Sequence, residues 1–201
     1  MHAVRQRFSI LALAAFVLAP AAHAQTIGFD DLACGNIGAA VQVPAGYAGL
    51  TWNGFRCYDV TTSGNPGYFA AARTSGTNIA INRGGSGSTI TSASTFNFFA
   101  ARITSSNPDL ATSYLFEGWL GSTLLFSQLV ASPSDRSLQT FNFVGVDRVE
   151  LTRTVGGGLF AFDDINVSVP IGVVPEPATT ALLGGGMLVL GMLARRRRAA
   201  R

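Results

Sequence analysis

Residues 25–174 contain no stretch with a helical period of useful length. They run instead as short Phe-, Thr-, Ile- and Val-rich segments cut apart by Gly, Asn, Pro and Ser clusters. Segments of this kind predict an all-β sandwich or barrel, because each buries its apolar face only against a second layer of strands. The predicted strands are 26–30, 49–55, 68–73, 78–82, 88–91, 96–104, 113–120, 123–130, 138–143, 148–152 and 159–169. Turn chemistry separates them at Asn65-Pro66-Gly67, Gly84-Gly85-Ser86-Gly87 and Gly156-Gly157-Gly158. Two hairpins are predicted, one from Tyr114 through Gly121 to Leu129 and one from Arg148 through the three glycines to Ile165. Alternation puts Tyr114, Phe116, Gly118 and Leu120 on one face and Leu115, Glu117 and Trp119 on the other.

The two ends obey different rules. Near the start, Arg5 and Arg7 precede an apolar stretch at 10–19, Pro20 breaks it, and Ala22-His23-Ala24 offers a small-x-small site before Gln25. This is the build of a secretory signal peptide over 1–24, read by the secretion machinery and cut between Ala24 and Gln25. At the other end, prolines stiffen a spacer over 170–177, an uncharged run covers 178–194, and Arg195, Arg196, Arg197 and Arg198 open a basic terminus over 195–201. A helix over 178–194, at about 1.5 Å per residue, reaches roughly 25 Å, the short end of what spans a bilayer. Arginines on the far flank hold that end in the cytoplasm, so a single transmembrane helix would leave the domain at 25–169 outside it.

Charge becomes informative once these ends are set aside. The chain carries +3 overall, but the first two arginines and the five of the tail, against Glu176, leave residues 25–174 at −3. A basic surface for nucleic acid is therefore not expected. Cys34 and Cys57 are the only cysteines; in an oxidising compartment such a pair predicts one disulfide, two buried free thiols being the alternative. The only histidines, His2 and His23, lie in the signal segment, and lysine is absent. The exported body thus lacks the parts of a Ser-His-Asp triad, a Cys-His pair, a His-bearing zinc site or a Schiff base. Carboxylate chemistry at Glu117 or Glu150, as in a glycoside hydrolase, is what remains, and no spacing in the sequence pairs the two. The expectation is a non-enzymatic protein.

The C-terminal features resemble the PEP-CTERM sorting signal of Gram-negative bacteria that produce exopolysaccharide. They are Pro175-Glu176-Pro177, the small-residue-rich segment around Gly184, Gly185 and Gly186, and the Arg195 to Arg198 cluster, in that order. The resemblance implies a substrate of an exosortase, carried to the inner membrane by its tail and then released to the envelope or the extracellular matrix. A second resemblance covers most of the body. Phe29-Asp30-Asp31-Leu32, the segment 43–52 and Phe160-Ala161-Phe162-Asp163-Asp164-Ile165 look like the galactose-binding-like jelly rolls found upstream of such tails. It implies a jelly-roll-like β-sandwich that binds carbohydrate, with exopolysaccharide as partner. The alternative is a structural or glycosylated matrix protein with no small ligand.

Two groups of residues follow as candidates. Alternation sets Asp163 on an apolar face with Ala161, Ile165 and Val167, which is costly for a carboxylate unless a cation or several donors meet it. The jelly-roll resemblance implies first and last strands side by side and a structural calcium between them, held by Asp31 and Asp163 with Asp164 and Asp30; backbone amides or an arginine such as Arg56 or Arg148 would serve instead. For sugar binding the candidates are Tyr58 and Tyr68, which bound a Thr-, Ser- and Gly-rich loop expected to be exposed. Trp52 and Trp119 are expected in the core.

Overall fold

The structure is a computed structural model, and it describes residues 22–62, 72–82, 87–105, 112–131, 137–157, 159–170, 186–187 and 195. Among the described residues ten strands appear in chain order: β1 Ala22–Ile27, β2 Val41–Gln42, β3 Thr51–Asn53, β4 Phe55–Asp59, β5 Asn78–Asn82, β6 Ser88–Ser105, β7 Ser113–Leu120, β8 Thr123–Ala131, β9 Ser137–Val155 and β10 Phe160–Pro170. They pair antiparallel in the order β2-β4-β5-β10-β6-β9-β7-β8, with β1 on β10 and β3 on β6. The predicted strands 88–91 and 96–104 are one strand, β6, and 138–143 and 148–152 are likewise one strand, β9. Register shifts between Thr91 and Phe96, and again up to Ala100, mark the bends. At such bulges a long strand changes direction and can serve two layers. The first half of β6 accordingly pairs with β3 and the end of β9, the second half with β10 and the start of β9. The result is an all-β, sandwich-like fold around one main core.

That core is aromatic. Phe116 meets Phe141, Phe160 and Phe162 at centroid distances of 4.6, 6.4 and 6.1 Å. Tyr114, Phe116, Val149 and Leu151 are fully buried. Leu115, Glu117 and Trp119 stay partly exposed on the outer face, as alternation requires, while Leu120 at the strand end turns out to solvent. Gly118 belongs to the core by necessity: a Cβ there would lie 2.9 Å from the Phe143 ring and 3.2 Å from the Phe126 ring, which are themselves stacked at 5.1 Å. The β7–β8 hairpin forms as expected, its turn tied by Gly121 N donating to Asp147 Oδ2 at 2.7 Å.

The predicted hairpin through Gly156–Gly158 does not form. β9 ends against β7, whereas β10 pairs with β6, β5 and β1, so the two strands are not neighbours in the sheet. Phe160, the first residue of β10, packs on Tyr114 of β7 at 4.1 Å. The first and last strands do lie side by side, Ala22 against Pro170 and Ile27 against Ile165. Cys34 and Cys57 form the disulfide, their Cα atoms 5.2 Å apart.

Candidate functional sites

The acidic residues at both ends of the body converge on one short segment, 74–78. Asp163 is wholly buried. Its Oδ2 accepts from the backbone N–H of Thr74 and, at 2.9 Å, of Ser75; its Oδ1 accepts from Asp164 N at 2.8 Å. Ser75 Oγ donates to Asp164 Oδ1 at 2.8 Å, and Arg102 Nε stands 3.8 Å from Asp164 Oδ2. From the other side Asp30 Oδ1 accepts from Thr77 N and Asn78 N at 2.7 and 3.0 Å. Gly76 is obligatory beneath it, since φ is +47° and any Cβ would overlap the Asp30 carboxylate. Burial pushes the Asp163 carboxyl above the ordinary carboxylate range, and the Ser75 and Thr74 amides pull it back.

The backbone explains why alternation misplaced its neighbours. Asp164 has φ of +46°, and the β6–β10 register shifts between Asp163 and Asn166. Before this bulge Phe160 and Phe162 face the main core while Ala161 joins a smaller cluster on the opposite face; after it Ile165 and Val167 face the main core. Asp163 therefore does not share a face with Ile165 and Val167.

Asp31 has a different partner. Its Oδ1 accepts from the Tyr47 hydroxyl at 2.5 Å, beside an open cleft of about 440 Å³ lined by Gln25, Thr26, Asp30, Asp31, Tyr47 and Ala48. Burial first, then the hydrogen bond and charge of Asp31, raise the Tyr47 phenol well above its ordinary value. Around Gly28 the oxygens Ser75 Oγ, Asp30 Oδ2 and Asp163 Oδ1 lie 3.2, 3.3 and 3.8 Å from where a Cβ would sit. Among the described residues no group of three or more His, Cys, Asp and Glu side chains is spaced to hold a metal ion.

The second site is on the outer face of β7 and β9, and no spacing in the sequence points to it. Glu117 of β7 stands directly opposite Glu150 of β9, and Trp119 opposite Arg148. On the other side of β9, Thr89 opposes Glu150 and Thr91 opposes Arg148; Asn53 of β3 continues the row and donates to Thr89 Oγ1 at 3.3 Å. The Arg148 guanidinium lies over the Trp119 ring, 5.0 Å from its centroid, and Arg148 Nε is 3.7 Å from Glu150 Oε2. Trp119 Nε1 is buried without an acceptor. One aromatic ring, one cation, two carboxylates and a row of hydroxyl and amide groups thus share a half-exposed surface. Such a set can accept from, donate to and pack against a polyhydroxyl ligand. Residue spacing concealed it because a pairing across 33 positions depends on strand register, which local sequence leaves open.

The tyrosine candidates fare differently. Tyr58 is wholly buried, not exposed: β4 runs between β2 and β5, and the ring lies in the smaller cluster with Val60, Ala72, Ile79, Ile81 and Ala161. Tyr68 lies outside the described residues. Trp52 is in the core as expected, its Nε1 donating to Tyr47 O at 3.0 Å, whereas Trp119, also expected there, is half-exposed on the outer face because its position in β7 alternates with the buried Phe116 and Gly118. Strand β1 runs through the expected cleavage point, with Ala24 opposite Ser168 and Gln25 opposite Val167. Pro175, Glu176, Pro177, Arg196, Arg197 and Arg198 lie outside the described residues, as does most of 178–194. Among the described residues no helix is long and apolar enough to cross a membrane.

No curated protein matches the chain. Among solved structures it is similar to the K2 cleaved adhesin domain of Lys-gingipain, at 12% identity and a TM-score of 0.47, over 73% of this chain and 100% of that one. It is also similar to TmCBM61 in complex with β-1,4-galactotriose, at 11% identity and a TM-score of 0.33, over 64% of this chain and 96% of that one. The C-terminal region is decisive where the body is not: residues 173–198 match the PEP-CTERM protein-sorting motif, and the chain that carries it is an exported protein sorted to the cell envelope.

Proposed function

We propose that the protein is a non-enzymatic component of the envelope or extracellular matrix, handed by its tail to an exosortase at the inner membrane, whose body binds polysaccharide on the Trp119 face. The observation that carries the binding reading is the in-register pair Glu117 and Glu150 beside Arg148 stacked on Trp119. Carboxylates accept hydrogen bonds from sugar hydroxyls, the guanidinium donates them, and the indole covers the C–H face of a sugar ring. Protein recovered from cells is expected to bind members of a polysaccharide panel, and Trp119→Ala and Glu150→Gln are each expected to weaken binding at least several-fold with the fold intact by circular dichroism. Binding unchanged in both variants would remove this site.

The same two glutamates support one second reading. Directly opposite residues on paired strands have Cβ atoms about 4.5–5.5 Å apart, from which two Glu side chains can reach the carboxyl separation a retaining glycosidase uses. Release of reducing ends from a polysaccharide, lost in Glu117→Gln, would favour hydrolysis over binding. A structural calcium is a further proposal, with Asp30, Asp163, Asp164 and Ser75 as donors that would have to draw together around the ion, Asp31 being bonded to Tyr47. Its support is the convergence of oxygens around Gly28, a type of donor calcium prefers. A melting temperature equal in calcium and in excess chelator would overturn it.

A further inference from the structure

Among the described residues strand β8 ends the strand order and pairs with β7 alone. The strands at the other open edges are shorter, two residues in β2, three in β3 and six in β1, whereas β8 has nine. Its sequence, from Thr123 to Ala131, contains no charge, no proline and no glycine. Long edge strands are normally protected by such residues, because their unpaired N–H and C=O groups are a template for another strand. Here the exposed side chains are apolar: Leu124, Leu125 and Leu129 are 44, 41 and 57% exposed, and Leu138 and Val144 on the neighbouring part of β9 are 50 and 54% exposed. The inward side chains are pinned, Phe126 by its stack on Phe143 and Gln128 by its bond to Thr140 O at 3.2 Å. The edge is thus held ready rather than folded away.

We infer that β8 pairs antiparallel with β8 of a second copy, across a two-fold axis at Ser127, to join two bodies through one continuous sheet. The argument for a second copy is self-complementarity. An antiparallel pairing centred on Ser127 sets Leu125 opposite Leu129 and Leu124 opposite Val130, so these four leucine and valine side chains meet apolar partners on both sides of the axis, while Phe126 falls opposite Gln128, whose amide is already bonded to Thr140 O. A two-fold contact requires a surface that matches itself. The body is otherwise acidic, at −3 over residues 25–174, yet this strand brings no like charge to the contact. The inference does not depend on what the Trp119 face binds.

The test uses protein recovered from cells, measured by sedimentation equilibrium and by cross-linking. Wild-type protein is expected at twice the protomer mass. Leu129→Lys, an exposed position whose change leaves the core untouched, is expected at the protomer mass with an unchanged melting profile. Ser127→Cys is expected to give a disulfide-linked dimer on mild oxidation, because the two cysteines face one another across the axis, whereas Thr123→Cys, which faces Ala131, does not. A wild-type monomer at tens of micromolar, or a Leu129→Lys dimer, would overturn the inference. So would equal cross-linking at both cysteine positions.

Discussion

Asp163 takes a carboxylate to a place that water does not reach, and the segment 74–78 is shaped to receive it. In Asp163→Asn the amide must turn a donor toward either the Thr74 and Ser75 amides or the Asp164 amide, so a donor faces a donor whichever way it is placed. The expected loss is about 1–3 kcal/mol of folding stability, read by denaturant titration. The pH dependence has a definite sign. Because the folded-state carboxyl sits above its ordinary value, the folded protein holds a proton that the unfolded chain has already released. Its contribution is therefore full below the unfolded value, near 3.8, and is lost as pH rises through the raised folded value. The stability difference between wild type and Asp163→Asn should narrow over that window, and a difference independent of pH would contradict the assignment. The alternating pattern picked out Asp163 from sequence. It could not register the bulge at Asp164, because a residue with positive φ reverses the parity of everything after it without any signature in hydrophobicity.

Opposed glutamates on neighbouring strands cost stability, since like charges directly across a sheet repel. Glu117→Gln should accordingly stabilise the fold by about 0.2–1 kcal/mol, seen as a rise in melting temperature, while weakening the binding proposed for that face. Stability gained where binding is lost is the usual mark of a residue kept for function. A fall in melting temperature would instead make Glu117 a structural residue. At this scale the sequence was read well where one strand carries its own evidence. β5, β7 and β8 lie almost where Phe, Ile and Tyr alternate with polar residues and Gly121 breaks the run. It was read poorly where a strand bends. β6 and β9 looked like two strands each because their polar, bulged middles resemble turns, and the supposed hairpin through the three glycines followed from treating adjacency in sequence as adjacency in the sheet. Tyr58 was misjudged for a related reason: a Thr- and Gly-rich stretch follows it, but its own strand lies between two others.

For the molecule as a whole, the Cys34–Cys57 bridge ties the irregular segment after β1 to β4. Closing a loop of this length restricts the unfolded chain by about 3 kcal/mol, so reduction, or a paired Cys34→Ala, Cys57→Ala change, should lower folding stability by about that amount in denaturant titration. Equal stability with and without reductant would show that the bridge contributes nothing. If two bodies join through β8, the Trp119 faces of both lie on the same side of the enlarged sheet. A long polysaccharide could then be held at two points, with an avidity beyond that of either point alone.

The pairing of β1 with β10 also orders events in time. β10 is the last strand to be made, yet it holds β1, β5 and β6 together, and its final residue, Pro170, is three positions ahead of the sorting motif that opens at 173. An exported chain that folds as it emerges stays an unfinished sheet until β10 has appeared. Completion of the sheet and appearance of the sorting motif are then almost one moment, and a body that fails to close leaves β1 loose.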